Sequence, residues 1–234
     1  MKTKTAVLIV MLTAAMALSG YKIREMNGQY IREARIKDEL LAYRPFISAQ
    51  APDKSPYIEK IRNGVNKDIA GWLIIPGTRI DYPFVLYKDN DYYLSRDIYG
   101  NPAAAGTLFM DCRNAADFSG FNTVIYGHDM KNGSMFGDLK LFADEDFFES
   151  HPSGTILMQD NMYKLEFFAY LIACSDDSMI YDALTKKNGF FDYIRSLALN
   201  YREPETSGPL VTLSTCSYEF DGARAVLLAN IKGG

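Results

Sequence analysis

The sequence predicts a mainly β protein with flanking helices: a closed eight-stranded β-barrel, an N-terminal two-helix layer, and a helix in the long connection before the strand that ends at Cys216. Three observations predict it. Beyond Gly71 come eight short apolar or alternating runs, WLIIPG, RIDYPFVL, GTLFMDC, TVIYGH, GTILMQ, YKLEFFAYLIAC, LVTLSTC and RAVLLANI, punctuated by Gly, Pro, Asn and Asp. Helical periodicity is confined to the region before Gly71 and to two interludes between strands. The chain has 234 residues, 48% of them hydrophobic. That is enough for one well-cored domain and a modest appendage.

The elements follow in chain order. Lys2 and Lys4 lead into an uncharged apolar run from Thr5 to Gly20, the basic and apolar regions of an export segment. Residues 1–21 are read as a membrane anchor with its N-terminus inside, extended by Tyr21 and the stem of Lys22 at the interface. The alternative is a cleaved signal peptide, suggested by Ala15 and Ala17; in both cases the working domain lies outside the cell. Residues 22–69 form the helical layer. A charged helix runs to about Tyr43 with sparse apolar positions Ile23, Tyr30, Ile31, Ala34 and Leu40. Pro45, Pro52 and Pro56 break the chain, and a second helix, Tyr57 to Ile69, buries Ile58, Ile61, Val65 and Ile69. The barrel occupies 70–234, with a tight hairpin at Asp160-Asn161. Helical interludes fall around Met135 to Phe148 and around Asn188 to Asn200, where Phe190, Phe191, Ile194, Leu197 and Ala198 share a face. The second lies inside the long connection Ser175 to Pro209, a length typical of the wall or lid of a site.

Composition removes several function classes. Lys and Arg number 25 against 29 Asp and Glu, a net charge of −4, and this argues against nucleic acid as a partner. The 23% of charged residues and the absence of repeats exclude disorder and coiled coil for the bulk of the chain. Three cysteines, Cys112, Cys174 and Cys216, leave at least one thiol unpaired in an exported protein, and the simplest account is no structural disulfide and one thiol kept for chemistry. Cys-x-x-Cys, His-Glu-x-x-His and phosphate-binding glycine loops are absent, so neither a metal nor a cofactor is expected.

Few residues can carry chemistry. His151, before Pro152, reads as an exposed loop residue. His128 ends the strand Thr123 to Tyr126 and follows Gly127, at the rim of the barrel. Cys216 ends the strand Val211 to Cys216 and shares the face of Thr212 and Ser214 rather than that of Leu213. It is therefore the candidate nucleophile, whereas Cys112 and Cys174 read as small core hydrophobes. Arg224 opens the next strand, and antiparallel pairing across Asp221-Gly222 brings its guanidinium near the thiol, where a fixed positive charge favours the thiolate and can hold an oxyanion.

Together Tyr126-Gly127-His128, Thr212-Leu213-Ser214-Thr215-Cys216 and Arg224 resemble the sortases, more narrowly class B. The similarity extends over roughly Gly71 to Lys232, and the N-terminal helices and helix-bearing connection are similar to class B rather than class A. The resemblance implies a membrane-anchored cysteine transpeptidase of a Gram-positive cell wall. Such an enzyme cleaves a C-terminal sorting signal of an exported protein and joins the new carboxyl end to an amine of a cell-wall peptide or its lipid-linked precursor. By matching position, Cys216 attacks the scissile carbonyl, His128 exchanges protons with the leaving and incoming amines, and Arg224 holds the oxyanion or the substrate backbone. For substrate binding, Asn90 and Leu94 match positions that line the groove in the family, Ser214 lies on the Cys216 face, and Ile180 or Tyr181 sits in the connection that walls it. Where class B members often carry an acidic residue directly after the cysteine, this chain has Ser217, with Glu219 two positions further on. An endopeptidase releasing its product to water and a catalytically idle surface-binding barrel are the alternatives, and a pilus-polymerising sortase is disfavoured by the lack of a lid motif before the first strand.

Overall fold

The computed structural model describes residues 2–44, 56–159, 161–182, 188–205 and 208–232. It divides into two compact units, residues 1–42 and 43–234. The first is a single helix, α1 (Lys2–Leu41), whose N-terminal half is an unbroken apolar stretch with mean hydropathy 1.8 over its most apolar window, none of it buried. By length and composition it can cross a membrane. The anchor segment and the charged helix expected to leave the membrane are one continuous helix, since no Pro interrupts residues 2–41.

The helical layer expected over 22–69 is thus shared between the units. Its second helix, α2 (Pro56–Gly64), belongs to the barrel unit and buries Ile58 and Ile61 completely. It is shorter than expected: it stops at Gly64, and Ile69 instead begins strand β1 (Ile69–Ile74). The breaking prolines Pro45 and Pro52 lie outside the described residues.

All eight runs form strands: β1, β2 (Asp81–Leu86), β3 (Leu108–Met110), β4 (Asn122–Tyr126), β5 (Ser153–Leu157), β6 (Met162–Cys174), then, after a short extra strand β7 (Ala198–Tyr201), β8 (Leu210–Cys216) and β9 (Ala223–Lys232). Their order is β5-β1-β2-β3-β4-β8-β9-β6, and pairing of β5 with β6 closes the ring, so that the barrel has eight strands with β7 added outside against β6. Pairing is antiparallel except for β2 with β3 and β4 with β8. Of the expected β5–β6 turn, Asp160 lies outside the described residues, while the Met158 N–H donates to the Asn161 carbonyl at 2.8 Å.

Three helical expectations change. The Met135 to Phe148 interlude is a 3-10 turn over Leu139–Ala143 followed by a short helix, α3 (Glu145–Ser150), capped by Asp144, whose side chain accepts the Phe147 N–H at 2.9 Å. The connection before β8 carries two helices, α4 (Ser178–Tyr181) and α5 (Phe190–Leu197), rather than one. Ala198 to Asn200, read as the end of a helix, is instead part of β7, because β6 is long enough to offer a free edge there.

Alternation along β8 and β9 divides the apolar side chains between two cores. Leu213, Leu227 and Ala229 point inward, where they meet Phe84, Ile125 and Phe167. Val124, Leu210, Val226 and Leu228 point outward and are roofed by Ile180 of α4 and Phe190 and Ile194 of α5. Helices α4 and α5 of the long connection therefore lie on the outer face of β4, β8 and β9, the face to which Thr212, Ser214 and Cys216 belong.

Candidate active site

Three adjacent strands carry the residues singled out by the sequence to one end of the barrel. Cys216 and Arg224 are register partners across β8 and β9. The Ser217 N–H donates to the Ala223 carbonyl at 2.9 Å, which makes the next pair, Cys216 and Arg224, a non-hydrogen-bonded one, the kind whose side chains stand closest, with Cα atoms about 4.5 Å apart. On the other side of β8 the pairing is parallel, with Tyr126 opposite Ser214 and the Gly127 N–H donating to the Ser214 carbonyl at 3.1 Å. Past the end of β4 at Tyr126, the same register carried two residues further puts His128 level with Cys216. His128, Cys216 and Arg224 thus form a row across three strands.

Gly127 allows the histidine to sit there. A Cβ on Gly127 would lie 2.3 Å from Leu108 Cδ2 and 2.8 Å from Phe136 Cδ2, both in the inner core. The His128 ring is oriented by its Nε2, 2.6 Å from the Leu94 carbonyl oxygen. A carbonyl can only accept, so Nε2 carries a proton. That carbonyl is approached closely by Gly106, at φ +58°, where a Cβ would come within 2.6 Å of the same oxygen. Arg224 directs Nη1 to the Ala223 carbonyl at 3.0 Å.

The groove positions fall into two groups. Leu94 is 44% exposed and gives its carbonyl to His128. Asn90 Oδ1 accepts the Cys112 N–H at 2.8 Å. Tyr181 and Ser214 meet through a 2.9 Å hydroxyl pair on the Cys216 face. Burial pushes the Tyr181 hydroxyl up to about 12, opposed by its bond to Ser214 and the nearby Arg224 charge. Ile180 and Ser214 differ from surface groove positions: Ile180 is fully buried in the outer core and Ser214 is 1% exposed, so both shape the wall from beneath, and Tyr181 too is buried. Ile180→Ala is expected to cost about 2–5 kcal/mol of stability, as cavity-forming substitutions do, whereas Leu94→Ala should stay within about 0.5 kcal/mol. Urea midpoints of the two variants check this; equal midpoints would remove the distinction.

Two cysteine readings are corrected. Cys112 and Cys174 are exposed rather than core residues, and all three cysteines are free thiols. Cys112 lies beyond the end of β3, and Cys174 is the last residue of β6, where the strands run out of cover. His151 is likewise no simple exposed loop residue: its ring stacks on Phe147 at 3.9 Å and its Nδ1 is 3.0 Å from the Phe147 carbonyl. Glu219 turns back onto the Ser217 hydroxyl, and that hydrogen bond holds its carboxyl below the ordinary range.

Other polar groups escaped the sequence reading. Asp111, fully buried, takes Arg113 Nε at 2.8 Å, Arg113 Nη2 at 2.7 Å and the Tyr126 hydroxyl at 3.0 Å. Burial raises its carboxyl, but these hydrogen bonds outweigh burial and hold it below the usual range. Asp129, beside His128, is drawn upward by burial, with Lys140 opposing and Glu219 adding. The one sequence signal for the first of these was a polar run, Asp111-Cys112-Arg113-Asn114, directly after an apolar strand. Among the described residues no group of three His, Cys, Asp or Glu side chains is arranged to hold a metal ion.

The chain is 40% identical over 162 residues to the sortase B of Listeria monocytogenes, an alignment spanning 67% of this chain and 66% of that relative. It is 27% identical to the sortase B of Staphylococcus aureus over 242 residues, 99% of this chain and 98% of that one. Among solved structures, the sortase B from Bacillus anthracis in complex with AAEK2 superposes with a TM-score of 0.73 at 32% identity, covering 86% of this chain and 96% of that chain. No family model matches.

Proposed function

The chain belongs to the class B sortases, a family of cysteine transpeptidases, and from that premise we propose that it cleaves a C-terminal sorting signal of an exported protein through a thioester on Cys216 and passes the acyl group to an amine of a cell-wall peptide or lipid-linked precursor. The observation that carries this reading is the row of His128, Cys216 and Arg224 across β4, β8 and β9.

In this reading the Cys216 thiolate adds to the scissile carbonyl, and the developing oxyanion meets the guanidinium of Arg224. The intermediate collapses to a thioester as His128 gives the leaving amine its proton. The incoming amine then attacks, His128 takes a proton back, and the thiolate leaves. With Nε2 held by Leu94, Nδ1 is the nitrogen that exchanges protons. Leu94, Asn90 and Tyr181 line the peptide's path, with Ser214 holding the Tyr181 hydroxyl from beneath. The apolar half of α1 anchors the enzyme in the cell membrane with the barrel outside.

Mass analysis of the products formed from a quenched-fluorescent library of randomised pentapeptides, with and without triglycine, tests the proposal. Cleaved acyl fragments carrying the amine are expected. Hydrolysis alone, even with triglycine present, would make the protein an endopeptidase, and no cleavage would leave a binding barrel. Arg224→Lys should lower kcat/KM by about 10²-fold, as loss of an oxyanion donor does, because an ammonium keeps the charge but not the planar fork. Full activity in this variant would reduce Arg224 to an edge residue.

A further inference from the structure

Helix α4, Ser178–Tyr181, is four residues long, too short to be stable by its own hydrogen bonds. Side chains of the barrel hold its final carbonyls, which a helix end leaves without internal partners. Asn122 Nδ2 donates to the Ile180 carbonyl at 2.7 Å. Arg113 Nη2 donates to the Tyr181 carbonyl at 3.0 Å. Both donors are themselves fixed. Asn122 Oδ1 accepts the Thr212 hydroxyl at 2.7 Å, and Arg113 is held by two nitrogens on the fully buried Asp111, which also anchors the Tyr126 hydroxyl. The Tyr126 and Tyr181 rings stack with centroids 6.3 Å apart, and the Tyr181 hydroxyl meets Ser214, two residues before Cys216 on the same strand face.

We propose that Arg113, oriented by Asp111, and Asn122 are positioning residues that clamp α4 to the barrel, fix Tyr181 beside the Cys216 strand, and so set which sorting signals are accepted. The proposal rests on the transpeptidase reading above and deepens it. None of the clamp residues belongs to the row of His128, Cys216 and Arg224. Releasing the clamp therefore alters peptide selection without altering the intrinsic reactivity of the thiol.

The test is Arg113→Lys in the full chain. Arg113→Ala would strand the buried Asp111 carboxylate and can fail to fold. A lysine keeps the ion pair but, as a point donor, cannot serve Asp111 through two nitrogens and the Tyr181 carbonyl together. Expected are a KM raised about tenfold for the peptide best cleaved by the wild type, the loss of one charge-assisted hydrogen bond, with kcat changed less than about twofold. The cleavage profile over the randomised library should broaden, and alkylation of Cys216 by iodoacetamide should keep its rate. An unchanged KM and profile in the folded variant overturn the proposal, as does a fall in alkylation rate equal to the loss in kcat/KM. Amide hydrogen exchange on the wild type gives a second measurement that needs no variant and no substrate. The Ile180 and Tyr181 N–H groups, which donate to the Asp177 carbonyl, should be at least about 10²-fold protected. Exchange at the rate of an open chain overturns the clamp even where Arg113→Lys does not fold. A wild-type enzyme that cleaves no peptide yet shows this protection would sink the transpeptidase reading and leave the clamp standing.

Discussion

Cys216→Ala is expected to abolish both cleavage and thioester formation while the barrel stays folded. Cys216 is partly exposed at the end of β8, on the face of Thr212 and Ser214, so its loss opens little apolar cavity. No other described thiol takes its place in the row: Cys112 lies beyond β3 and Cys174 ends β6. Cys112→Ala and Cys174→Ala should therefore retain activity. Mass spectrometry of the trapped acyl-enzyme together with a thermal melt decides it. A wild-type cleavage rate in Cys216→Ala would overturn the assignment of the nucleophile, and loss of activity in Cys174→Ala with an intact melt would shift attention to the β6 end.

His128→Ala should bring activity close to background at every pH tested, a loss of about 10²- to 10⁴-fold for a general acid and base. The other histidine, His151, stacks on Phe147 and hydrogen-bonds its carbonyl at the end of α3, so it offers no replacement. His128→Gln is the sharper variant, since a side-chain amide can still donate to the Leu94 carbonyl but cannot transfer a proton at neutral pH. If His128→Gln is as inactive as His128→Ala, proton exchange is the lost function. Recovery in His128→Gln would show that the imidazole chiefly holds the Leu94 segment in place.

These expectations rest on local features that the sequence displays by itself. Alternating apolar and polar residues mark a strand wherever it pairs, so the eight barrel strands were legible, as was the placing of His128, Cys216 and Arg224 at strand ends. A helix apolar and long enough to cross a membrane was likewise visible as one contiguous run. The family resemblance came from the same short segments. Each of these depends on neighbours within a few positions, and short-range order is what a sequence records directly.

What lay beyond reach depends on partners distant in the chain. The parallel pairing of β4 with β8, which levels His128 with Cys216, joins segments nearly ninety residues apart, and no local pattern encodes it. Most of β7, Ala198 to Asn200, reads as helix in the sequence because Leu197 and Ala198 continue the apolar period of α5; only the free edge of β6 makes it a strand. Cys112 and Cys174 follow apolar runs, which predicts burial, but burial of a strand's last residue is decided by what passes over it. The Asp111–Arg113 pair shows the same limit from the functional side. Its residues stand two apart in the sequence, yet its contact with the Tyr181 carbonyl spans 68 positions. Closing the barrel and folding the long connection onto its outer face create that contact, so tertiary structure alone decided how the wall of the site is held.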